Sequence, residues 1–143
     1  MDFLTSLHIS STGMSTQRVR MNVVAMNLAN VDTTRSEKGG PYRRKTVVME
    51  VEPVNNFDAA LASQSESACG VCVTDIVEDK TPFRQVYNPG HPDADDAGFV
   101  KMPNVDLVTE MANMMIAKRS YEANVAALNT AKGMALKALE IGK

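Results

Sequence analysis

The sequence has no tryptophan, three Tyr and four Phe, against ten Met. Large aromatics dominate compact cores, whereas the unbranched Met side chain fills irregular contacts between helices. The balance leans toward helix-on-helix packing. Charge of one sign is also lacking: fifteen Lys and Arg stand against seventeen Asp and Glu, a formal net of -2. A nucleic-acid binder carries a basic excess, and a membrane-surface helix clusters basic residues on one face. Neither pattern is present, and no nucleic-acid partner is expected. Long apolar runs are missing too. The best, Met21 to Val31, already contains Asn22, Asn27 and Asn30, far short of the roughly 18 apolar residues of a membrane helix. The start Met1-Asp2-Phe3 lacks the basic-then-apolar pattern of a cleaved secretion signal. The expectation is a chain that stays inside or leaves by a route that removes no signal peptide.

Signatures of catalysis are equally scarce. The sequence has no Gly-rich phosphate loop and no GxSxG. Cys69-Gly70-Val71-Cys72 has CxxC spacing, but a redox role needs the pair at a helix N-terminus. This pair leads into a Val-rich strand instead. A zinc site needs two further ligands, and the only histidines are His8 and His91. The run from His91 to Asp96 matches an EF-hand loop at Asp93, Asp95 and Gly98. It fails at Ala97 and at Asn104, where a Glu is required. It reads as a solvated acidic loop. Met111, Met114 and Met115 stand at helical spacing and read as packing. No enzyme, cofactor, metal or small-molecule substrate is expected.

What the sequence does have is heptad periodicity at both ends. Leu7, Met14, Met21 and Leu28 recur every seven residues, with Leu4, Ser11, Arg18 and Ala25 at the intervening seam positions. This predicts a helix over about 2–29, roughly 40 Å long, capped by Asp2 and stopped by a left-handed Asn30. A second pattern runs over about 105–141, roughly 55 Å. Leu107, Met114, Tyr121, Leu128 and Ala135 share one seam line, and Met111, Lys118, Val125, Lys132 and Leu139 the other. Asn104 is the predicted cap and Gly142 the stop. Between the helices, 45–52, 71–78, 83–87 and 98–102 read as strands, with turn signals at Gly39-Gly40-Pro41 and Asn88-Pro89-Gly90. Asn55 to Ala68 fits no element. The expected fold is mainly α with a small β-rich middle, its long N- and C-terminal helices pairing as a coiled coil. The expected division is 1–34, an axial helix and its closing motif; 35–103, a β-containing middle; and 104–143, a second axial helix.

Asn27-Leu28-Ala29-Asn30-Val31-Asp32-Thr33-Thr34 resembles the N-terminal motif of the flagellar rod and hook family, an Asn-x-Ala-Asn-x-x-Thr block closing a long helix. Met102-Pro103-Asn104-Val105-Asp106, followed by Glu110-Met111 and then Arg119-Ser120-Tyr121-Glu122-Ala123-Asn124, is similar to that family's C-terminal block. The segments 39–45 and 87–95 are similar to those of one rod member. The Gly-Tyr that often follows the first motif in hook members is absent, which favours a rod subunit. The two cysteines depart from the usual avoidance of that residue in the family. The resemblance implies a structural subunit of the proximal rod, self-assembling into a helical tube that transmits torque and surrounds an export channel. It implies exit through the flagellar export apparatus without a cleaved signal, and a place in the periplasmic part of the basal body. The implied partners are the other proximal rod subunits and itself, the inner-membrane ring and the distal rod.

Residues expected to carry assembly are Leu7, Met14, Met21, Asn27, Leu28 and Asn30 on the first helix, and Met111, Met114, Tyr121, Val125 and Leu128 on the second. Two other readings of the same features are a soluble helical adaptor or coiled-coil chaperone that does not polymerise and a small CxxC redox or metal enzyme.

Overall fold

A computed structural model describes residues 3–36, 39–53 and 69–141. Helix α1 (Phe3–Ala29) and helix α2 (Leu107–Ile141) bracket two antiparallel ribbons. The first pairs β1 (Lys45–Pro53) with β2 (Cys69–Glu78), and the second pairs β3 (Arg84–Tyr87) with β4 (Phe99–Met102). The predicted helices and all four predicted strands are present within two residues of their expected bounds. The proposed cap Asp2, the stop Gly142 and the segment 55–68 lie outside the described residues.

The helices run antiparallel. Gly13 meets Asn124, and Asn27 meets Glu110. Asn27 lies fourteen residues after Gly13, and Glu110 fourteen before Asn124, so the two contacts are equally spaced along both helices. The closest line on α2 is Glu110, Ala117, Asn124 and Ala131, of which Glu110, Ala117 and Ala131 are buried. Met114, Tyr121, Leu128 and Ala135 flank it, half-buried. One predicted seam line thus lies beside the contact, apart from Leu107, which is 49 % exposed. The other predicted line is displaced by one residue. Met111 is 53 % and Leu139 71 % exposed, and Lys118 and Lys132 are exposed while Val125 is half-buried. The physical reason is size. The backbones approach on small side chains, and a scan for large apolar residues passes over Ala117 and Ala131. On α1 the buried residues are Ser10, Thr16, Val23, Val24 and Asn27. Leu7, Met14, Met21 and Leu28 are half-buried at the flank, and Leu4, Ser11, Arg18 and Ala25 are exposed.

The first ribbon docks on α1 through its backbone. Thr12 and Thr16 stand one turn apart and bracket one residue of β2. The Val71 N–H donates to Thr12 Oγ1 at 3.4 Å, and Thr16 Oγ1 donates to the Val71 carbonyl at 3.1 Å. Gly70 makes this approach possible, since a Cβ there would sit 2.9 Å from Thr12 Oγ1. The register of the ribbon shifts between Val48 and Met49, leaving Thr74 as the extra residue of a bulge. The second ribbon turns through 88–98. Gly98, at φ +81°, lets the chain pass where a Cβ would meet the Tyr87 ring at 2.9 Å. Tyr87 and Phe99 pack edge to face across it, centroids 5.3 Å apart.

Both helix boundaries differ from expectation. The cap of α2 is Asp106, which accepts from the Thr109 N–H at 3.0 Å and from the Thr109 hydroxyl. Asn104 is occupied elsewhere. Asn30 does not adopt the left-handed conformation, since among the described residues only glycines have positive φ. It closes α1 with its side chain, Nδ2 donating to the Met26 carbonyl at 2.8 Å. The acidic loop is also more than a solvated run. Asp93 pairs with Arg35 at 2.6 Å and accepts from the Thr34 hydroxyl at 2.7 Å, pinning the loop to the segment that follows α1.

Gly13 sets the helix spacing, because a Cβ there would lie 2.8 Å from Asn124 Nδ2. Gly13→Val is expected to lower stability by about 1–3 kcal/mol through overpacking. Asn124→Ala should recover part of the loss in a urea-melt double-mutant cycle. An uncoupled cycle would mean that the two residues do not share this contact.

Candidate functional site: a buried clamp and an open apolar groove

Asn27 sits at the last turn of α1 with no exposed surface. Its Nδ2 donates to the Lys45 carbonyl and to Glu110 Oε2, both at 2.9 Å. Its Oδ1 accepts from the Lys45 N–H at 2.9 Å and from the Tyr42 hydroxyl at 3.0 Å. One side chain therefore uses two donors and two acceptors to join α1, the root of β1 and α2. Glu110, also fully buried, is held on its other oxygen by Arg44, whose Nε and Nη2 lie at 2.9 and 2.8 Å. The carboxylate is thus met by the flat edge of the guanidinium. Arg44 Nη1 reaches Asp79 at 3.4 Å. Asn104 accepts from the Arg44 N–H at 2.8 Å and donates to the Asp79 carbonyl and the Thr81 hydroxyl. Arg43 lies over the Phe83 ring at 4.4 Å. Burial, then the negative charges of Glu110 and Glu78, push the Tyr42 phenol above its ordinary value, consistent with a hydroxyl that stays protonated and donates.

Among the residues expected to carry assembly, Asn27 and Asn30 are thus engaged within the chain, in the clamp and at the end of α1 respectively. The apolar ones gather elsewhere. Met21 lies about 140° around α1 from Thr16, and Met14 about 160° from Thr12. Their line therefore turns away from the ribbon. In an antiparallel pair, residues following the seam by one or four positions turn to the same side of both helices. Leu7, Met14, Met21 and Leu28 of α1 and Met114, Tyr121, Val125 and Leu128 of α2 therefore border one groove, with Met111 at its rim. The ribbon covers the opposite side.

Sequence reasoning missed Glu110, Arg44 and Tyr42. Arg44 and Glu110 are 66 residues apart, and nothing local marks them as a pair. Cys69 and Cys72 are opposite Pro53 and Glu50 on β2. Three positions apart on a strand, they point to opposite faces and do not converge on one metal.

Two family descriptions match the ends of the chain: "Flagella basal body rod protein" over residues 7–35 and "Flagellar basal body rod FlgEFG protein C-terminal" over residues 96–141. They define a class, the axial proteins of the flagellar rod. The chain is 47 % identical to the flagellar basal-body rod protein FlgC of Bacillus subtilis strain 168, covering 96 % of this chain and 97 % of the relative. It is 43 % identical to FlgC of Salmonella typhimurium strain LT2, over the whole of both chains. To FlgC of Borreliella burgdorferi it is 38 % identical, over 99 % of this chain and 98 % of the relative. The chain belongs to the FlgC family of flagellar basal-body rod proteins. That makes it a structural subunit of the basal-body rod and not an enzyme.

Removing one partner of a buried ion pair costs about 3–5 kcal/mol, while replacing both with apolar residues costs much less. Glu110→Met alone is expected to fall in that range by urea melt, and Glu110→Met with Arg44→Met to be milder. Additive losses would mean that the pair is not coupled.

Three carboxyls are held below their ordinary range. For Asp79 the main cause is the Thr81 N–H and hydroxyl, then Arg44; for Asp93 the Thr34 hydroxyl, then Arg35 and His91; for Asp106 Thr109. Because the folded values are depressed, the unfolded chain takes up protons first. The stabilisation is complete above the unfolded carboxyl value of about 4 and is lost as pH falls through and below it. The urea midpoint should drop below about pH 4, with a shallower drop in Asp93→Asn. An identical acid slope in that variant would remove Asp93 from the account.

Proposed function

We propose that the chain is a subunit of the proximal rod that polymerises through the apolar groove between its helices. The observation that carries this reading is the placement of eight half-buried apolar residues on the side of the helix pair away from the ribbon. Such a face is completed when another helix covers it, and a Leu or Met side chain gains about 1.5–3 kcal/mol on full burial. The exposed Leu136, Leu139 and Ile141 at the end of α2 supply apolar surface of the kind that fits such a groove. Heptad-spaced helices from adjacent copies then pack as a coiled coil, and head-to-tail contacts that do not close on themselves give a helical tube.

In this reading residues 1–34 and 104–143 form the axial layer around an export channel, and 35–103 face outward. The tube transmits torque through the periplasm and sits between the inner-membrane ring and the distal rod. The subunit reaches it through the flagellar export apparatus without a cleaved signal. Its partners are other proximal rod subunits and further copies of itself. Support comes from the family membership and from the terminal motifs that close α1 and open α2.

Leu28→Asp would bury a charge in the groove, at a cost of several kcal/mol. The expected result is non-motile cells whose isolated basal bodies have rings and no completed rod. Normal swimming with complete rods would overturn the groove assignment.

A further inference from the structure

We infer that a disulfide between Cys69 and Cys72 and the folded strand β2 exclude each other, so the CxxC pair is a redox-sensitive latch on the docking of α1. Both cysteines lie in β2, paired across the ribbon with Pro53 and Glu50, and neither is in a disulfide. Three residues of strand separate their Cα atoms by about 10 Å. A disulfide needs about 4.4–6.8 Å, with Cβ atoms facing each other, whereas these point to opposite faces. The bond therefore forms only if the Gly70–Val71 segment leaves the strand.

That segment is the one α1 holds. Thr12 and Thr16 bracket the Val71 peptide, and Gly70 is packed against Thr12 Oγ1. Bending it to close the disulfide removes both hydrogen bonds along with the pairing of Gly70 and Val71 to Glu52 and Val51. The chemistry is ordinary exchange with a small disulfide. One protein thiolate attacks the small disulfide and expels one small thiolate. The second protein thiolate then attacks the protein-side sulfur of the mixed disulfide and expels the other. The two cysteines lose two electrons and two protons, and the small disulfide becomes two thiols. Since the cross-link belongs only to the opened chain, an oxidising medium draws the chain away from its fold. The folded strand in turn keeps the two sulfurs from reaching each other.

The test uses the full chain with oxidised glutathione, in buffer and in concentrated guanidinium, with alkylation and mass spectrometry to score the internal disulfide. Closure is expected to be slower in buffer by about tenfold or more. The chain oxidised in denaturant and then diluted should lack amide-exchange protection across β2 until dithiothreitol restores it. Cys69→Ser with Cys72→Ser should gain that protection regardless of oxidant. Equal closure rates in buffer and denaturant, or full β2 protection in the oxidised chain, would overturn the proposal.

Discussion

A fully buried carboxylate is the constraint around which the rest of this molecule is arranged. Glu110 lies on α2 where it has no access to water, and an unpaired charge there would be untenable. It is tolerated because Arg44 and Asn27 satisfy both of its oxygens at 2.8–2.9 Å. Those partners come from β1's root and from α1, which forces three distant segments to meet. Asn104 extends the same set of bonds to the loop at Asp79 and Thr81. Such a network specifies one arrangement by making partial arrangements costly. That suits a protein whose apolar core is small. Its buried apolar side chains among the described residues are Val23, Val24, Val100, Pro103, Val105, Ala117 and Ala131.

The clamp and the groove divide the work between polar and apolar chemistry. The clamp fixes the angle and register of the helices at one end of the pair. The small residues Gly13, Ala117 and Ala131 let the backbones close along the seam. Large apolar residues are thereby left over, at the flank and on the outer face. In a monomeric enzyme such an allocation would be wasteful and prone to aggregation. In a member of a rod family such apolar surface accords with the assembly proposed above.

How much of this was legible beforehand depended on range. Strand and helix bounds followed from local periodicity and turn residues, and held to within two residues. The heptad lines were visible, but Met111 and Leu139 were placed in the seam that Ala117 and Ala131 occupy, because apolar size is a poor guide where the backbones are closest. The terminal motifs pointed to Asn27 and Asn104 as important without saying why. Asn104, chosen as a helix cap, instead holds the Arg44 peptide, and Asp106 caps the helix two residues later. Arg44 and Glu110 lie within the segments that resemble the family, but their pairing gave no local sign, since a pair joined across 66 residues exists only after folding.

The threonine bracket on Val71 bears on how such a chain avoids the wrong polymer. A two-stranded ribbon has two open edges, and each is a template for cross-β stacking. By occupying the N–H and carbonyl of Val71, α1 stops one of those edges from recruiting a strand at that point. The bulge at Thr74 distorts the pairing a few residues further on. A member of the rod family is thereby kept from strand-to-strand association at this point of its sheet, and its own fold is favoured over cross-β stacking.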